Sequence, residues 1–242
     1  MKYIILTIFY LISFSSPIQK SGGIAIYDVD IKMKTIPNDV NKDSVSIENL
    51  KRIEHVLKNS KSVQFELKFN KVESIYSKIE TLENENDNAL NITDVLTESG
   101  INYVNLKTNE RLNQKNAYGE MFLISGPINE WELCNEMKKI NNFTCYKATT
   151  TKVIENKSGI KTISITAWYT PEINFSHGPL GYAGLPGLVL ELEDGQLLIK
   201  ASKLKFASNK INISKPIEGK KVTYEEFSKL SKEMYYKLRQ KM

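Results

Sequence analysis

"FSHGPLGYAGLPGLVLELEDGQLLIKA", residues 175–201, holds five of the chain's twelve glycines and two of its seven prolines. Glycines recur at Gly178, Gly181, Gly184 and Gly187, and then stop where a run of leucines begins. Proline followed two residues later by glycine in Gly178-Pro179-Leu180-Gly181 suits a type I turn. Leu185-Pro186-Gly187-Leu188 places glycine where a type II turn requires positive φ. Beyond them, "LVLEL", Asp194-Gly195 and "QLLIKA" read as a two-residue hairpin with a type I′ signal. That register sets Leu192 against Leu197, Leu190 against Ile199 and Leu188 against Ala201 on a core face. Val189, Glu191 and Glu193 lie opposite Lys200, Leu198 and Gln196 on a face that is wet or lines a groove. A one-residue slip would turn every leucine outward, so the turns help fix the register. Four glycines cannot build a collagen helix. The absence of a following Lys-Ser/Thr pair, and the strand that follows, exclude a phosphate-cradling loop.

The same period-two pattern recurs along the chain. "GGIAIYDVDIKMK" alternates Ala25, Tyr27, Val29 and Ile31 with Ile24, Ile26, Asp28 and Asp30, as a strand does. "SVQFELKFN" and "KVESIYSKIE" form a hairpin around Asn70. "TLENENDNALNITD" is acidic and aperiodic, an irregular excursion between strands. "INYVNLKTN", "RLNQKNA" and "GEMFLIS" continue a meander, and residues 128–170 give three more strands, the last two joined at Asn156-Lys157-Ser158-Gly159. Two segments have helical period instead. Ile47, Leu50, Ile53 and Leu57, with Val56 beside them, form one face of a helix near residues 46–59, with His55 off that stripe. Phe227, Leu230, Met234 and Leu238 do so near 223–241, where Thr223 and Glu226 fit a capping box. The expected class is α+β and sheet-dominated: a curved antiparallel sheet, an open half-barrel in outline, with the C-terminal helix packed on it.

Length and composition set the outer limits. With 242 residues, 41% hydrophobic and 25% charged, the chain has ordinary globular composition and is long enough for one sizeable core. Met1-Lys2, the apolar run Tyr3–Ile12 and Ser13-Phe14-Ser15 have the three parts of a signal peptide over residues 1–15, leaving a single domain over 24–242. The run is too short to span a bilayer, and no later stretch is apolar enough. An exported protein, periplasmic or extracellular and not membrane-spanning, is expected. From Lys200 onward twelve Lys/Arg face four Glu. No nucleic-acid-binding module accompanies that basic stretch, so nucleic acid is not an expected partner; weak contact with an anionic surface is. Export permits a disulfide between Cys134 and Cys145, worth roughly 3 kcal/mol at that spacing. Two cysteines without a nearby histidine make a poor zinc site, and neither metal nor cofactor is expected.

In "IKTISITAWYT", Ile163, Ile165, Ala167 and Tyr169 share one face and Thr162, Ser164, Thr166 and Trp168 the other. Trp168 therefore stands on the hydroxyl-rich face where the strand enters the glycine loop, a suitable binding platform unless the loop folds over it. His177 is the imidazole near that loop. A pairing with Cys145, or with Glu172, is the catalytic alternative, although no orienting third residue or oxyanion turn accompanies it. The expected rim of a binding face comprises Trp168, Tyr169, His177, Pro179, Gly184, Pro186 and Gly187.

These residues resemble a known signature. Gly184-Leu185-Pro186-Gly187-Leu188-Val189 stands where the GLPGLI family of exported bacterial proteins has the hexapeptide that names it. Ala167-Trp168-Tyr169-Thr170, Gly178-Pro179, Trp131 and "CYKAT" (Cys145–Thr149) are similar to its other recurrent elements. The resemblance implies export into a Gram-negative envelope and no established activity, cofactor or catalytic residue. The functional expectation is thus a non-enzymatic binding or scaffolding protein holding a peptide, lipid or envelope protein, with a hydrolase using His177 as the alternative.

Overall fold

In a computed structural model, which describes residues 20–32, 47–80, 91–97, 100–156 and 159–240, the period-two segments all become strands of one sheet. β1 (Gly22–Ile31) buries Ala25, Tyr27, Val29 and Ile31, as its alternation requires. β2 (Val63–Asn70) and β3 (Glu73–Lys78) follow as a hairpin. Its turn is fixed by Asn70, whose side-chain oxygen accepts the N–H groups of Val72 and Glu73, each at 2.8 Å. β4 (Ile101–Asn105), β5 (Glu110–Ala117) and β6 (Glu120–Gly126) complete a first meander. A second comprises β7 (Glu132–Ile140), β8 (Phe143–Asn156), β9 (Gly159–Thr170), β10 (Leu188–Asp194) and β11 (Leu197–Ala207). The two join where β1 pairs with β11, and β12 (Lys220–Thr223) adds parallel to β6. The order is β12-β6-β5-β4-β3-β2-β1-β11-β10-β9-β8-β7, open at both ends. The expected open, mostly antiparallel sheet is what the chain forms.

Helices are few. α1 (Ile47–Lys58) lies within the expected 46–59, but its stripe is only lightly packed: Ile53 is 47% exposed and Leu57 touches the core. α3 (Tyr224–Gln240) follows the capping box as expected, with Thr223 N–H on Glu226 Oε2 at 2.7 Å and Glu226 N–H on Thr223 Oγ1 at 3.2 Å. Its Phe227 and Leu230 pack on Phe122, Ile124 and Val222. One expectation is corrected here. The aperiodic stretch ends in a short helix, α2 (Ile92–Leu96), because Asn91 accepts the Thr93 N–H as an N-cap at 3.2 Å. Residues 1–15, 81–90 and 157–158, and the side chains of Ile47 and Leu238, lie outside what the structure describes.

The β10–β11 hairpin keeps the expected faces but not the expected pairs. Leu192 pairs with Ile199 and Asp194 with Leu197, so the two-residue loop is Gly195-Gln196. Gly195, with φ 61°, takes its first position, where a type II′ turn has glycine. β10 is also buried on both faces at its start, where Leu188, Val189 and Leu190 are all inaccessible. The segment between β11 and β12 explains another buried patch: its Ile213 covers Tyr103, Leu112 and Leu123 on the outer face of β4–β6.

Candidate functional site

The glycine loop, residues 171–187, lies inside the curve of the sheet. Ile173, Phe175, Leu180, Tyr182 and Leu185 belong to one core with Ala25, Tyr27, Phe69 and Leu192, and His177 is buried beside Phe69. The 3-10 turn Pro179–Gly181 reaches across to touch β3, β4 and β5. Three to five strands lie between those and β10, a span on the order of 20–30 Å in a flat sheet, so the loop is the filling around which the sheet curls.

Specific bonds hold it there. Tyr27 O–H donates to Val189 O at 2.6 Å, and Val189 N–H donates to His177 O at 3.0 Å. Trp131 Nε1–H donates to Ala183 O at 2.9 Å and its ring meets Tyr182 edge-on. Tyr182 O–H donates to Asp194, which also pairs with Lys152. Arg111 of β5 is the strongest latch. Its guanidinium lies between the rings of Tyr182 and Tyr224, 5.1 and 5.2 Å away, donating to Asn129 Oδ1 at 2.8 Å and Leu180 O at 3.2 Å. Arg111→Met is expected to lower stability by about 2 kcal/mol, read from denaturant midpoints, through loss of these contacts.

The turns differ from expectation in instructive ways. The first closes one residue late, with Tyr182 N–H on Pro179 O at 3.0 Å. Both central residues have positive φ, Leu180 at 54° and Gly181 at 74°, which is a type I′ pattern and not type I. Leucine tolerates that conformation here because its carbonyl is held by Arg111. At the second turn Gly187 does have positive φ, 155°, but closure is the three-residue Leu185 O to Gly187 N–H bond of 2.7 Å.

The expected rim residues fall into separate environments. Tyr169 (6% exposed), Pro179 and Gly187 are buried, Gly184 and Pro186 are exposed, and His177 is wholly enclosed. Trp168 faces away from the loop: its cross-strand neighbours are Lys147 and Glu191, whereas Tyr169 pairs with Tyr146 and Val189 on the loop side. The loop therefore neither covers Trp168 nor shares a rim with it. Trp168 is half-buried under Lys138, whose Nζ lies 4.1 Å from the ring centre. Lys138 also pairs with the buried Glu191 at 2.7 Å, and Lys200 flanks that carboxylate at 3.5 Å. The buried Glu191 side chain thus has two lysine partners.

The catalytic alternative is not assembled. His177 Nε2–H donates to Asn70 O at 3.0 Å, and burial pushes its pKa down to about 4. Glu172 instead accepts the Thr144 N–H at 2.8 Å. Cys145 is buried, and desolvation raises its thiol to about 11, the wrong direction for a nucleophile. The disulfide that export would permit is not formed here: Cys134 and Cys145 are free cysteines. Cys145 stands opposite Lys138, and a register break between Leu133 and Met137 carries Cys134 further along β7. Among the described residues, no three His, Cys, Asp or Glu side chains cluster as metal ligands.

Sequence reasoning overlooked Arg111 and the edge strand. Arg111 is one of only three arginines, which was a usable signal, but its partners come from residues 129, 180, 182 and 224. Among the described residues β7 ends the sheet with its outer edge unpaired, and beside that edge Leu133 (58%), Met137 (67%) and Tyr146 (37%) are exposed. The other edge is closed by the four-residue β12 and by α3.

Residues 155–191, from the end of β8 to the middle of β10, match the model of a family described as a protein of unknown function (Porph_ging). Its activity is thus open. No curated protein matches the chain. Among solved structures, PNGF-II in a P21 crystal form is similar with a TM-score of 0.48 and 16% identity, over 86% of this chain and 32% of that one. PNGF-II in a C2 form gives 0.46 and 15% over the same shares. The chain spans about a third of the length of that protein.

Proposed function

We propose that the protein is an exported binding or scaffolding protein that takes an extended segment of a partner protein onto the free edge of β7. The observation that carries this reading is the pairing of an open nine-residue edge strand with exposed Leu133 and Met137. Edge strands offer unpaired N–H and C=O groups to which an extended segment of a partner can add. Here Met137 and Tyr146 continue the apolar core outward through Tyr169. Export rests on the signal-like residues 1–15, and the GLPGLI reading on Gly184–Val189 within the matched stretch. Among the described residues no helix is long and apolar enough to cross a membrane.

A photo-crosslinking residue at Met137, applied in envelope extract, is expected to capture one protein stoichiometrically. A Leu133→Lys, Met137→Lys variant with unchanged melting temperature is expected to lose that partner at least tenfold in pull-down. No crosslinked species, or equal recovery by the variant, would overturn the reading. Export is checked separately by N-terminal sequencing of the mature chain; a start at Met1 or Lys2 contradicts it.

A further inference from the structure

β7 carries its charges and its exposed apolar groups in an order that complements its own reverse. Its first seven residues are Glu132-Leu133-Cys134-Asn135-Glu136-Met137-Lys138. Leu133 and Met137 stand beside Ala148 and Tyr146 on the loop side, 58% and 67% exposed. Glu132 and Lys138 stand beside Thr149 and Cys145 on the outer side, where Lys138 covers Trp168. Between them residues 134–136 oppose Lys147 alone, so the strand bows out from β8 at its middle, and Asn135 is exposed. Two copies of such an edge can pair antiparallel about a two-fold axis normal to the sheet, which keeps each side chain on its face. That axis must then pass between one residue and its own copy, which leaves few registers. Centred on Cys134, the pairing sets Glu132 against Glu136; centred on Glu136 or Lys138, it sets each of those against itself. Centred on Met137, it puts Leu133 against Asn141, beyond the strand in the turn to β8. Centred on Asn135, it sets Leu133 against Met137 and Glu132 against Lys138, each twice over.

We propose that the occupant of the β7 edge is a second copy of this chain, joined edge to edge with Asn135 on the two-fold axis. The inference rests on the use of that edge proposed above and goes further by naming the partner. Leu133 and Met137 of each copy then cover those of the other, next to Tyr146, whose ring lies 6.2 Å from that of Tyr169. Each Glu132, exposed in the single chain, gains Lys138 of the other copy as an opposite charge across the pair. Pairing of this kind closes on itself. The far edge of the sheet in each copy is covered by β12 and α3, so two chains join and no fibre follows.

The purified chain is expected to sediment at twice its own mass at about 100 µM, a concentration that registers any Kd below that value. Glu132→Lys sets like charges opposite each other and should weaken the dimer about tenfold or more. The register is read by cysteine crosslinking in a Cys134→Ser background. Residues directly opposite in an antiparallel pair have Cα atoms about 4.5–5.5 Å apart, within disulfide reach, so Asn135→Cys should link two chains on mild oxidation. The two copies of residue 137 would lie four positions out of register, ~13 Å apart, so Met137→Cys should not. Both positions are exposed, and both variants are expected to fold. A monomer at that concentration would overturn the inference, and so would a dimer that Asn135→Cys fails to link or that Met137→Cys links instead. Neither result bears on β7 as a binding edge, which is judged by what Met137 captures from envelope extract.

Discussion

Gly187→Ala is expected to destabilise the fold by about 5 kcal/mol or more, enough to leave little folded protein at 37 °C. Two effects combine. The residue has φ 155°, a conformation that side chains disfavour. An added Cβ would also fall 2.1 Å from Thr170 O and 2.5 Å from Thr170 C. Those are backbone atoms of β9, paired to β10 at Thr170 and Leu188, so the clash cannot be relieved by turning a side chain. Relief requires the end of β9 and the start of β10 to part, at the point where the loop enters the core. Gly119→Ala is the matched control. Gly119 also has positive φ, 82°, but nothing lies within 4 Å of its would-be Cβ. Its loss is expected to be about 1–2 kcal/mol. Denaturant unfolding of both variants separates contact from strain: similar losses would show that the Thr170 contact is unimportant.

The second large effect is on pH dependence and comes from His177. Its folded pKa, about 4, lies below the ordinary 6.5 because charging the ring inside the core is unfavourable. Between those values the unfolded chain binds the proton and the folded chain does not. Stability is therefore fully present above about pH 6.5 and is lost as pH falls toward 4, by about 3 kcal/mol in all. Urea unfolding of the wild type at pH 7 and pH 4.5 should show that decline. In His177→Gln, an uncharged donor that can still reach Asn70 O, the decline should be much smaller. An equal decline in both proteins would assign the pH dependence to the carboxylates.

The period-two segments were readable because each strand has a buried and an outer face, as in Ala25-Tyr27-Val29 against Ile24-Ile26-Asp28. Where that rule fails, the reading fails. β10 is covered on both sides, so its opening leucines and Val189 give no alternation from which to fix register, and the hairpin loop moved one residue. The loop itself misled through composition. Glycine, proline and histidine look like surface turn chemistry, yet His177 and Pro179 are enclosed because β3–β5, distant in sequence, wrap over them. Arg111 lies 69 residues upstream of its loop contact and Trp131 52 upstream of its own, separations that local pattern does not register. α1 shows the converse: its helical stripe is plain, but few partners meet it.

The central claim is that residues 173–189 form interior structure which shapes the sheet, and not a mobile rim. Native-state amide hydrogen exchange tests it most directly. The N–H groups of Tyr182, Gly184, Leu188 and Val189 donate to Pro179, Ser176, Ile173 and His177 carbonyls at 3.0 Å each. They are predicted to exchange as slowly as the amides of β1 and β11 at the centre of the sheet, opening only with global unfolding. Exchange of these four amides at the rate of an exposed loop, while β1 and β11 remain protected, would contradict the account.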